Sequence, residues 1–360
     1  MDLSALLTLA VQSAASDLHL SSGEPPILRI HGDLQRLDSP LLAREAVRSL
    51  IDRLLDDDQR KTFTAARELD FAYDLGAIGR FRVNVFVQQR GAGAVFRLIP
   101  TVIPTIEQLG LPPILKKLCD KKKGLILVTG PTGAGKSTTL AAMIDHINRT
   151  VPGHIVTIED PIEFTHRSQR CLVNQREVGA HTHSFANALR AALREDPDVI
   201  LVGEMRDLET IQLAITAAET GHLVFGTLHA PSAPQTVDRV IGVFPATQQA
   251  QVRMQFADSI EAVITQTLCK KKGGGRVAAL EILLATAATR NLIRESKVHQ
   301  LLSAMQVGQK DGMQTLDAAL MDLVNKNAIT REEAQAKGAA VPGGTLLGSG
   351  GGKPPTGRVG

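Results

Sequence analysis

The sequence predicts a mixed α/β fold whose larger part is built on a mostly parallel sheet. Three observations support this fold class. Apolar strand-like runs alternate with helix-like runs after residue 114, which is typical of a parallel sheet flanked by helices. One of these runs leads directly into the pattern G-x-x-x-x-G-K-S/T of a phosphate-binding loop. Before residue 100, short alternating runs separated by glycine-containing turns predict a smaller α+β domain.

Four segments are expected along the chain. Residues 1–99 form the small N-terminal domain, and residues 100–113, which contain four prolines, form a linker. Residues 114–340 form the second domain, in which the pattern becomes mainly helical after Thr236. Residues 341–360 are rich in glycine and proline, so we expect them to be disordered.

Composition excludes several classes of protein. With 43% hydrophobic and 21% charged residues, the chain is a globular protein, and its 360 residues are enough for two domains. A net charge of +3 and an aromatic content of 3% argue against a nucleic-acid-binding surface, which needs basic and stacking side chains. The separate positions of Cys119, Cys171 and Cys269 argue against a zinc site or a disulfide framework. The sequence contains neither a membrane-spanning run nor a secretory signal, so we expect a cytoplasmic protein.

Strands and helices can be located by their apolar spacing. In the N-terminal domain three alternating runs predict a β-meander: Asp70–Asp74, Arg80–Val87 and Ala94–Ile99. In the second domain four apolar runs predict strands: Leu125–Val128, Ile155–Glu159, Val199–Val202 and Leu223–Thr227. Beyond Thr236, Thr247–Ala257 and Glu261–Leu268 both have helix-like spacing, and Val277–Leu283 predicts a further strand.

The phosphate-binding loop is predicted at Gly130–Ser137, between a strand-like and a helix-like run. Its glycines allow successive backbone N–H groups to face phosphate oxygens, and the helix that follows adds the positive end of its dipole. We expect Lys136 to reach the β- and γ-phosphates and the Ser137 hydroxyl to ligate Mg²⁺. The alternative is a glycine-rich turn that matches by chance. The predicted nucleotide-binding residues are Gly130, Pro131, Thr132, Gly133, Ala134, Gly135, Lys136, Ser137 and Thr138.

Carboxylates follow two of the predicted strands, at the edge where parallel sheets bind ligands. Glu204 follows Val199–Val202, where it would orient or deprotonate an attacking water, or hold Mg²⁺ through water. Glu159, Asp160 and Glu163 end another strand and would repel one another without a nearby cation. Spacing alone leaves open which of these three faces the nucleotide. A surface ion pair and a solvated acidic loop are the alternatives.

Histidine and arginine side chains complete the candidate site. His229 lies at the carboxyl end of the strand Leu223–Thr227, where an imidazole is placed to contact phosphate; a structural histidine is the alternative. Arg80 and Arg82 point to the same face of one strand because they are two residues apart. Arginine suits bidentate phosphate contact and the stabilisation of developing charge from a neighbouring subunit. The alternative is a pair of solvated arginines on an exposed sheet face.

Together these motifs resemble those of the secretion and type IV pilus motor ATPases, and above all the PilT family of pilus retraction ATPases. The resemblance extends from about Ala15 to Ile329. Gly130–Ser137 is similar to the Walker A loop of the family and Asp196–Asp207 to its Walker B region. Two further motifs are similar to the Asp box and the His box of the family, respectively Thr157–Phe164 and Gly221–Ala230.

The resemblance implies a PAS-like N-terminal domain and a RecA-like ATPase domain, with ATP and Mg²⁺ as ligands. It implies a homohexameric ring in the cytoplasm, peripheral to the inner membrane. The ring would move a platform protein of that membrane, so that pilin leaves the fibre and the cell shows twitching motility. The resemblance also implies roles in catalysis for the candidate residues Glu204, Glu163, His229, Arg80 and Arg82. A paralogous retraction ATPase is a further possible partner, and no nucleic acid is expected.

Ala288–Glu295 resembles the retraction motif of the family, which favours the retraction branch over extension and secretion ATPases. Thr289 departs from that motif because an aliphatic residue is usual there, and Cys269 departs from the larger residue expected at its position. Three other functions stay open. They are a PilU-like accessory retraction ATPase, a non-hydrolysing accessory subunit, and a nucleic-acid-stimulated ATPase.

Overall fold

The computed structural model describes residues 2–30, 32–76, 78–99 and 102–338. Two sheets organise the described chain, one with six strands before residue 100 and one with seven strands after it. The first sheet is antiparallel, in the order β3-β2-β1-β6-β5-β4. Its strands are β1 Asp17–Ser21, β2 Ile27–Ile30, β3 Asp33–Arg36, β4 Glu68–Asp74, β5 Arg80–Gln88 and β6 Gly91–Ile99. The helices of this part are α1 Leu3–Gln12, α2 Arg44–Leu54 and α3 Asp57–Ala66.

The N-terminal part has its own hydrophobic core. Side chains of all three helices join those of the central strands in one cluster that includes Leu7, Ile51, Phe63, Phe81 and Phe96, each almost fully buried. The predicted meander is confirmed as β4, β5 and β6, which pair in sequence order. Helix α3 was not predicted because only one of its residues is buried, so its apolar spacing is weak.

The second sheet has the order β13-β12-β7-β11-β10-β8-β9 and is parallel except for β13. Its strands are β7 Gly124–Thr129, β8 Gly153–Glu159, β9 Cys171–Glu177, β10 Val199–Val202, β11 Leu223–Leu228, β12 Ile260–Lys270 and β13 Arg276–Leu284. The four strands expected in its centre are confirmed as β7, β8, β10 and β11. Every residue of β7, β10 and β11 is buried, because helices cover both faces of a parallel sheet.

Helices cover the two faces of this sheet. They are α4 Ile114–Cys119, α5 Lys136–Thr150, α6 Phe185–Ala192, α7 Leu208–Glu219, α8 Ala233–Gly242, α9 Ala246–Ser259, α10 Ala287–Arg294, α11 Leu301–Val307, α12 Leu316–Asn325 and α13 Arg331–Ala336. Leu125 and Leu127 belong to one core cluster and Ile126 and Val128 to another, because neighbouring strand residues point to opposite faces. The described residues after β13, up to residue 338, contain helices and no further strand, as expected for the helical C-terminal part.

The prediction of a helix at Glu261–Leu268 is wrong, since these residues lie in β12. This strand lies inside the sheet between β7 and β13, so five consecutive residues from Ala262 to Gln266 are buried. A strand buried on both faces shows no alternation, and a short apolar run then has the same pattern in a helix or a strand. The β-branched residues Val263, Ile264 and Thr265 favour the strand.

The described part of the predicted linker, residues 102–113, contains neither a helix nor a strand, only bends and turns. Pro100 and Thr101 lie outside the described residues, as does the whole predicted tail at residues 341–360. The division of the chain into domains at residues 99 and 114 stays a prediction. Among the helices of the described chain, none combines the length and the hydropathy that crossing a bilayer requires.

Candidate active site

A cleft of about 570 Å³ lies at the carboxyl ends of four parallel strands. Each strand is followed by a segment that lines it: the phosphate loop after β7, Glu163 after β8, Glu204 after β10 and His229 after β11. Because these strands run in the same direction, residues far apart in the sequence meet at one edge of the sheet. The three side chains selected from the sequence therefore line a single cleft together with the phosphate loop.

The phosphate loop has the tight backbone that its glycines permit. Gly130 has a φ of +136°, and a Cβ atom there would lie 2.3 Å from the carbonyl oxygen of Gln266. Residues 132–138 line the cleft, and α5 begins at Lys136, so the positive end of its dipole faces the cleft. Gly130 and Pro131 are not lining residues; their carbonyl oxygens accept hydrogen bonds from Lys136 Nζ at 3.0 and 3.1 Å. Burial lowers the pKa of Lys136.

Gln266 supports the phosphate loop from the neighbouring strand β12. The residue is 2% exposed, its Nε2 donates to the carbonyl oxygen of Ala134 at 2.6 Å, and its Oε1 accepts from Thr139 Oγ1 at 2.7 Å. These two bonds tie the middle of the loop and the first turn of α5 to the sheet. The sequence analysis missed Gln266, although a polar side chain within a buried apolar run is a usable signal.

Glu204 is held by two partners. Its Oε2 accepts a hydrogen bond from Arg206 Nη2 at 2.6 Å, and its Oε1 lies 3.2 Å from His229 Nε2. The bond from Arg206 is the main cause that holds the pKa of Glu204 below its ordinary value. An ionised carboxylate thus lies beside an imidazole at the end of β11 and near the ammonium of Lys136, whose charge also lowers the pKa of Glu204.

The acidic segment after β8 enters the same cleft. Glu159, Asp160 and Glu163 all line it, so the three carboxylates left open by spacing share one wall. Glu159 accepts hydrogen bonds from Thr157 Oγ1 at 2.6 Å and Gln175 Nε2 at 3.1 Å, and desolvation raises its pKa. Asp160 and Glu163 have no such bond among those described, which leaves them as the candidate acidic groups of this wall.

The donor atoms of the cleft fit Mg²⁺. This ion prefers oxygen ligands and is usually held by one or two protein oxygens, water and the phosphates of its nucleotide. The hydroxyl of Ser137 and the carboxylates of Glu163 and Glu204 supply such oxygens on different walls. No group of three or more His, Cys, Asp or Glu side chains in the described chain is arranged to hold a metal ion.

The two candidate arginines differ in their surroundings. Arg82 lines the cleft, and its guanidinium is bidentate to Asp70, with Nε donating to Oδ1 at 3.2 Å and Nη2 donating to Oδ2 at 2.5 Å. Arg80 does not line the cleft; its Nη2 donates to Glu177 Oε2 at 3.0 Å. The expectation that both arginines reach the site of a neighbouring subunit stays a prediction.

Several lining residues were not selected from the sequence, among them two arginines, a histidine and a leucine. Arg206 and His166 follow β10 and β8, whereas Leu268 and Arg276 belong to β12 and β13. His166 is 8% exposed, and burial lowers its pKa to about 4, so its imidazole is neutral at pH 7. Arg206 stands two residues after Glu204 within a recognised motif and could have been found. Leu268 could not, because the strand β12 was predicted as a helix. Arg276 directly precedes the predicted strand Val277–Leu283 and belongs to no motif that would single it out.

Comparisons with known proteins identify the family. Residues 1–273 match the profile of the family described as type II/IV secretion system protein. The type IV pilus retraction ATPase PilT of Pseudomonas aeruginosa is 58% identical over 342 residues, which are 95% of this chain and 99% of that protein. The chain belongs to the PilT family. The type IV pilus ATPase PilU of Pseudomonas aeruginosa is 44% identical over 93% of this chain and 88% of its own length.

The solved structures agree with this assignment. A crystal structure of the pilus retraction motor PilT with bound ADP has a TM-score of 0.89 and 47% sequence identity. The alignment covers 95% of this chain and 98% of that one. The predicted fold class is confirmed: a small PAS-like α+β domain precedes a RecA-like ATPase domain with a helical C-terminal part. The chain is a P-loop ATPase, as its phosphate loop predicted.

Proposed function

We propose that this chain is a hexameric motor ATPase that hydrolyses ATP to ADP and phosphate and powers type IV pilus retraction. The observation that carries the proposal is the cleft in which Lys136, Glu204 and His229 meet at the ends of β7, β10 and β11. A cation that binds phosphate and a side chain that positions water are groups that phosphoryl transfer to water uses, and the imidazole lies against that side chain. The 58% identity to a retraction ATPase over nearly its whole length supports the physiological role.

The phosphate loop binds the nucleotide in this proposal. The backbone N–H groups of residues 132–138 and the ammonium of Lys136 contact the β- and γ-phosphates, while the N-terminus of α5 adds positive potential. Ser137 and Glu163 would hold Mg²⁺, which would supply positive charge beside the phosphates.

Glu204 orients the attacking water. Its lowered pKa keeps it ionised at neutral pH, so it accepts a hydrogen bond from the water and aligns the oxygen lone pair with the γ-phosphorus. Arg206 fixes one carboxylate oxygen and His229 lies against the other, which restricts the direction in which Glu204 can accept. The proton released by the water passes to Glu204 or to the departing phosphate.

The proposed movement occurs between the two domains of each subunit. The described residues up to Phe96 share one hydrophobic core, and the other cores begin at Ile103, inside the predicted linker, which fits two bodies joined near residue 100. Arg82 lies on the first body and lines the cleft of the second, so nucleotide at the cleft attracts the first body. In a ring of six subunits, this shift would act on a platform protein at the cytoplasmic face of the inner membrane.

A PilU-like accessory ATPase is the second candidate. The 44% identity to PilU, against 58% to PilT of the same organism, favours the principal retraction motor. The two candidates differ in a cell that lacks both paralogues, because a principal motor restores retraction alone and an accessory one does not. A partnership with such a paralogue is compatible with either candidate, and we propose no nucleic-acid partner.

Phosphate release from Mg-ATP by the purified protein tests the enzymatic part of the proposal. The native protein is expected to turn over, whereas Lys136→Ala loses the phosphate anchor and its hydrolysis. Glu204→Gln keeps the shape of the side chain, so it should bind ATP but hydrolyse it at least about a hundredfold more slowly. Hydrolysis by the native protein that survives Lys136→Ala would place the reaction elsewhere and refute the assignment.

A further inference from the structure

Glu177 is a buried carboxylate that the proposed chemistry does not use. It ends β9, the edge strand of the second sheet, and is 4% exposed. Its Oε2 accepts two hydrogen bonds, one from the backbone N–H of Ile162 at 3.1 Å and one from Arg80 Nη2 at 3.0 Å. One oxygen atom therefore joins a segment of the second sheet to a side chain of the first sheet.

The Ile162 end of this contact lies within the acidic wall of the cleft. Asp160 and Glu163, on either side of Ile162, both line the cleft. Glu159 and Glu177 are paired at the ends of β8 and β9. The chain leaves β8 after Glu159 and, three residues later, Ile162 contacts the side chain of Glu177. The hydrogen bond from the Ile162 N–H thus fixes the backbone between two carboxylates that line the cleft.

Arg80 lies on β5, and its guanidinium forms an ion pair with Glu177. The side chain of Arg80 is 20% exposed and that of Glu177 is 6% exposed, so water screens this ion pair little. Arg80 Nε is buried without a hydrogen-bond partner among the described atoms. Arg82, two residues further along β5, instead lines the cleft and pairs with the more exposed Asp70.

We propose that Glu177 is a positioning residue through which Arg80 couples the first sheet to the acidic wall of the nucleotide cleft. Separation of Arg80 from Glu177 would leave a buried carboxylate without its counter-charge, a state that proteins avoid. The carboxylate would then shift toward water or other donors and release the Ile162 N–H. A cation bound with the nucleotide would attract Asp160 or Glu163, and the resulting shift of the backbone at Ile162 would be passed through Glu177 to Arg80.

This inference rests on the proposed function, because it assigns Arg80 a role in the same site. It differs from the expectation that Arg80 contacts phosphate directly, whether of its own chain or of a neighbour. In the coupling account Arg80 acts only through Glu177. Loss of either partner therefore has the same consequence, and loss of both adds nothing further.

A double-mutant cycle separates these two roles. The variants are Arg80→Gln, Glu177→Gln and the double variant. The measured quantity is the affinity for fluorescent methylanthraniloyl-ADP in the presence of Mg²⁺. Each single change is expected to weaken binding about tenfold, and the double variant should also bind about tenfold more weakly, because the residues act as one unit. Losses that multiply, or a loss in Arg80→Gln with none in Glu177→Gln, would overturn the coupling and favour direct phosphate contact.

Arg80→Lys and Arg90→Gln serve as controls. Arg80→Lys keeps the positive charge and should recover part of the affinity lost in Arg80→Gln. Arg90 also pairs with a carboxylate of the first sheet region, Glu24 at 2.8 Å, but its side chain is 52% exposed and far less buried than Arg80. Arg90→Gln should therefore bind the nucleotide as the native protein does. Weakened binding in Arg90→Gln equal to that in Arg80→Gln would contradict a specific role for Arg80.

Amide hydrogen exchange keeps the test decisive if Glu177→Gln does not fold. Arg80→Gln should speed exchange in the segment that contains Ile162, although Arg80 makes no hydrogen bond to that backbone. Unchanged protection of that segment would overturn the inference. If the native protein binds nucleotide and Lys136→Ala abolishes this binding, the proposed function stands whatever the double-mutant cycle shows. Absence of binding by the native protein would instead refute the proposed function.

Discussion

Gln266→Leu removes the support of the phosphate loop without changing side-chain size much. The buried carbonyl of Ala134 and the buried hydroxyl of Thr139 each lose their hydrogen-bond partner, since leucine offers none. A buried polar group left unsatisfied costs about 1–3 kcal/mol, and the extra apolar burial of leucine offsets a part. We therefore expect a net loss of about 2–4 kcal/mol in the free energy of unfolding.

Thermal unfolding with and without Mg-ADP measures this loss. For a domain of this size about 1 kcal/mol corresponds to roughly 2–4 °C, so the Tm should fall by roughly 5–15 °C. The KM for ATP should also rise, because Ala134 belongs to the loop that binds the phosphates. Thr139→Val breaks only one of the two bonds and should cost about half as much. A Gln266→Leu protein with native Tm and KM would refute the claim that Gln266 holds the loop.

Three further changes probe the phosphate loop and the carboxylate Glu204. Gly130→Ala places a Cβ 2.3 Å from a backbone oxygen at a φ of +136°, whereas Gly133→Ala meets no atom within 4 Å at +76°. Both substitutions cost about 1–2 kcal/mol because the backbone is left-handed at each position. Only Gly130→Ala also clashes, so the Gly130→Ala protein should unfold at a clearly lower denaturant concentration. Equal denaturant midpoints for Gly130→Ala and Gly133→Ala would contradict the close contact between Gly130 and the backbone of Gln266. Arg206→Gln removes the bond that lowers the pKa of Glu204, so that pKa rises toward its ordinary 4.5. Activity that needs the ionised carboxylate is lost as pH falls through this pKa, and the acidic limb of the kcat/KM profile should therefore move to higher pH. If the acidic limb of the profile does not move, it reports the ionisation of a group other than Glu204.

The elements around the cleft could be predicted because their signals are local. The strands β7, β10 and β11 are unbroken apolar runs, and the phosphate loop is a complete motif in the required context. Glu204 and His229 could be placed because residues that follow parallel strands lie at one edge of a sheet. These inferences needed only the order of residues along the chain.

The rest depends on contacts between distant residues. Strand β12 was taken for a helix because burial on both faces removes the alternation that marks a strand. The support given by Gln266 depends on the pairing of β12 with β7, which the wrong helix concealed. Arg80 and Glu177 are 97 residues apart, and no spacing rule connects an arginine of one sheet with a carboxylate of another.

The central claim is that ATP hydrolysis in this cleft powers pilus retraction. Twitching motility in a piliated strain that lacks its own retraction ATPases tests it most directly, with the native chain compared against Glu204→Gln at equal expression. We expect the native chain to restore twitching and Glu204→Gln, which still binds ATP, to leave the cells immotile. Restoration by both proteins, or by neither although the native protein hydrolyses ATP and assembles at the pilus, would contradict the claim.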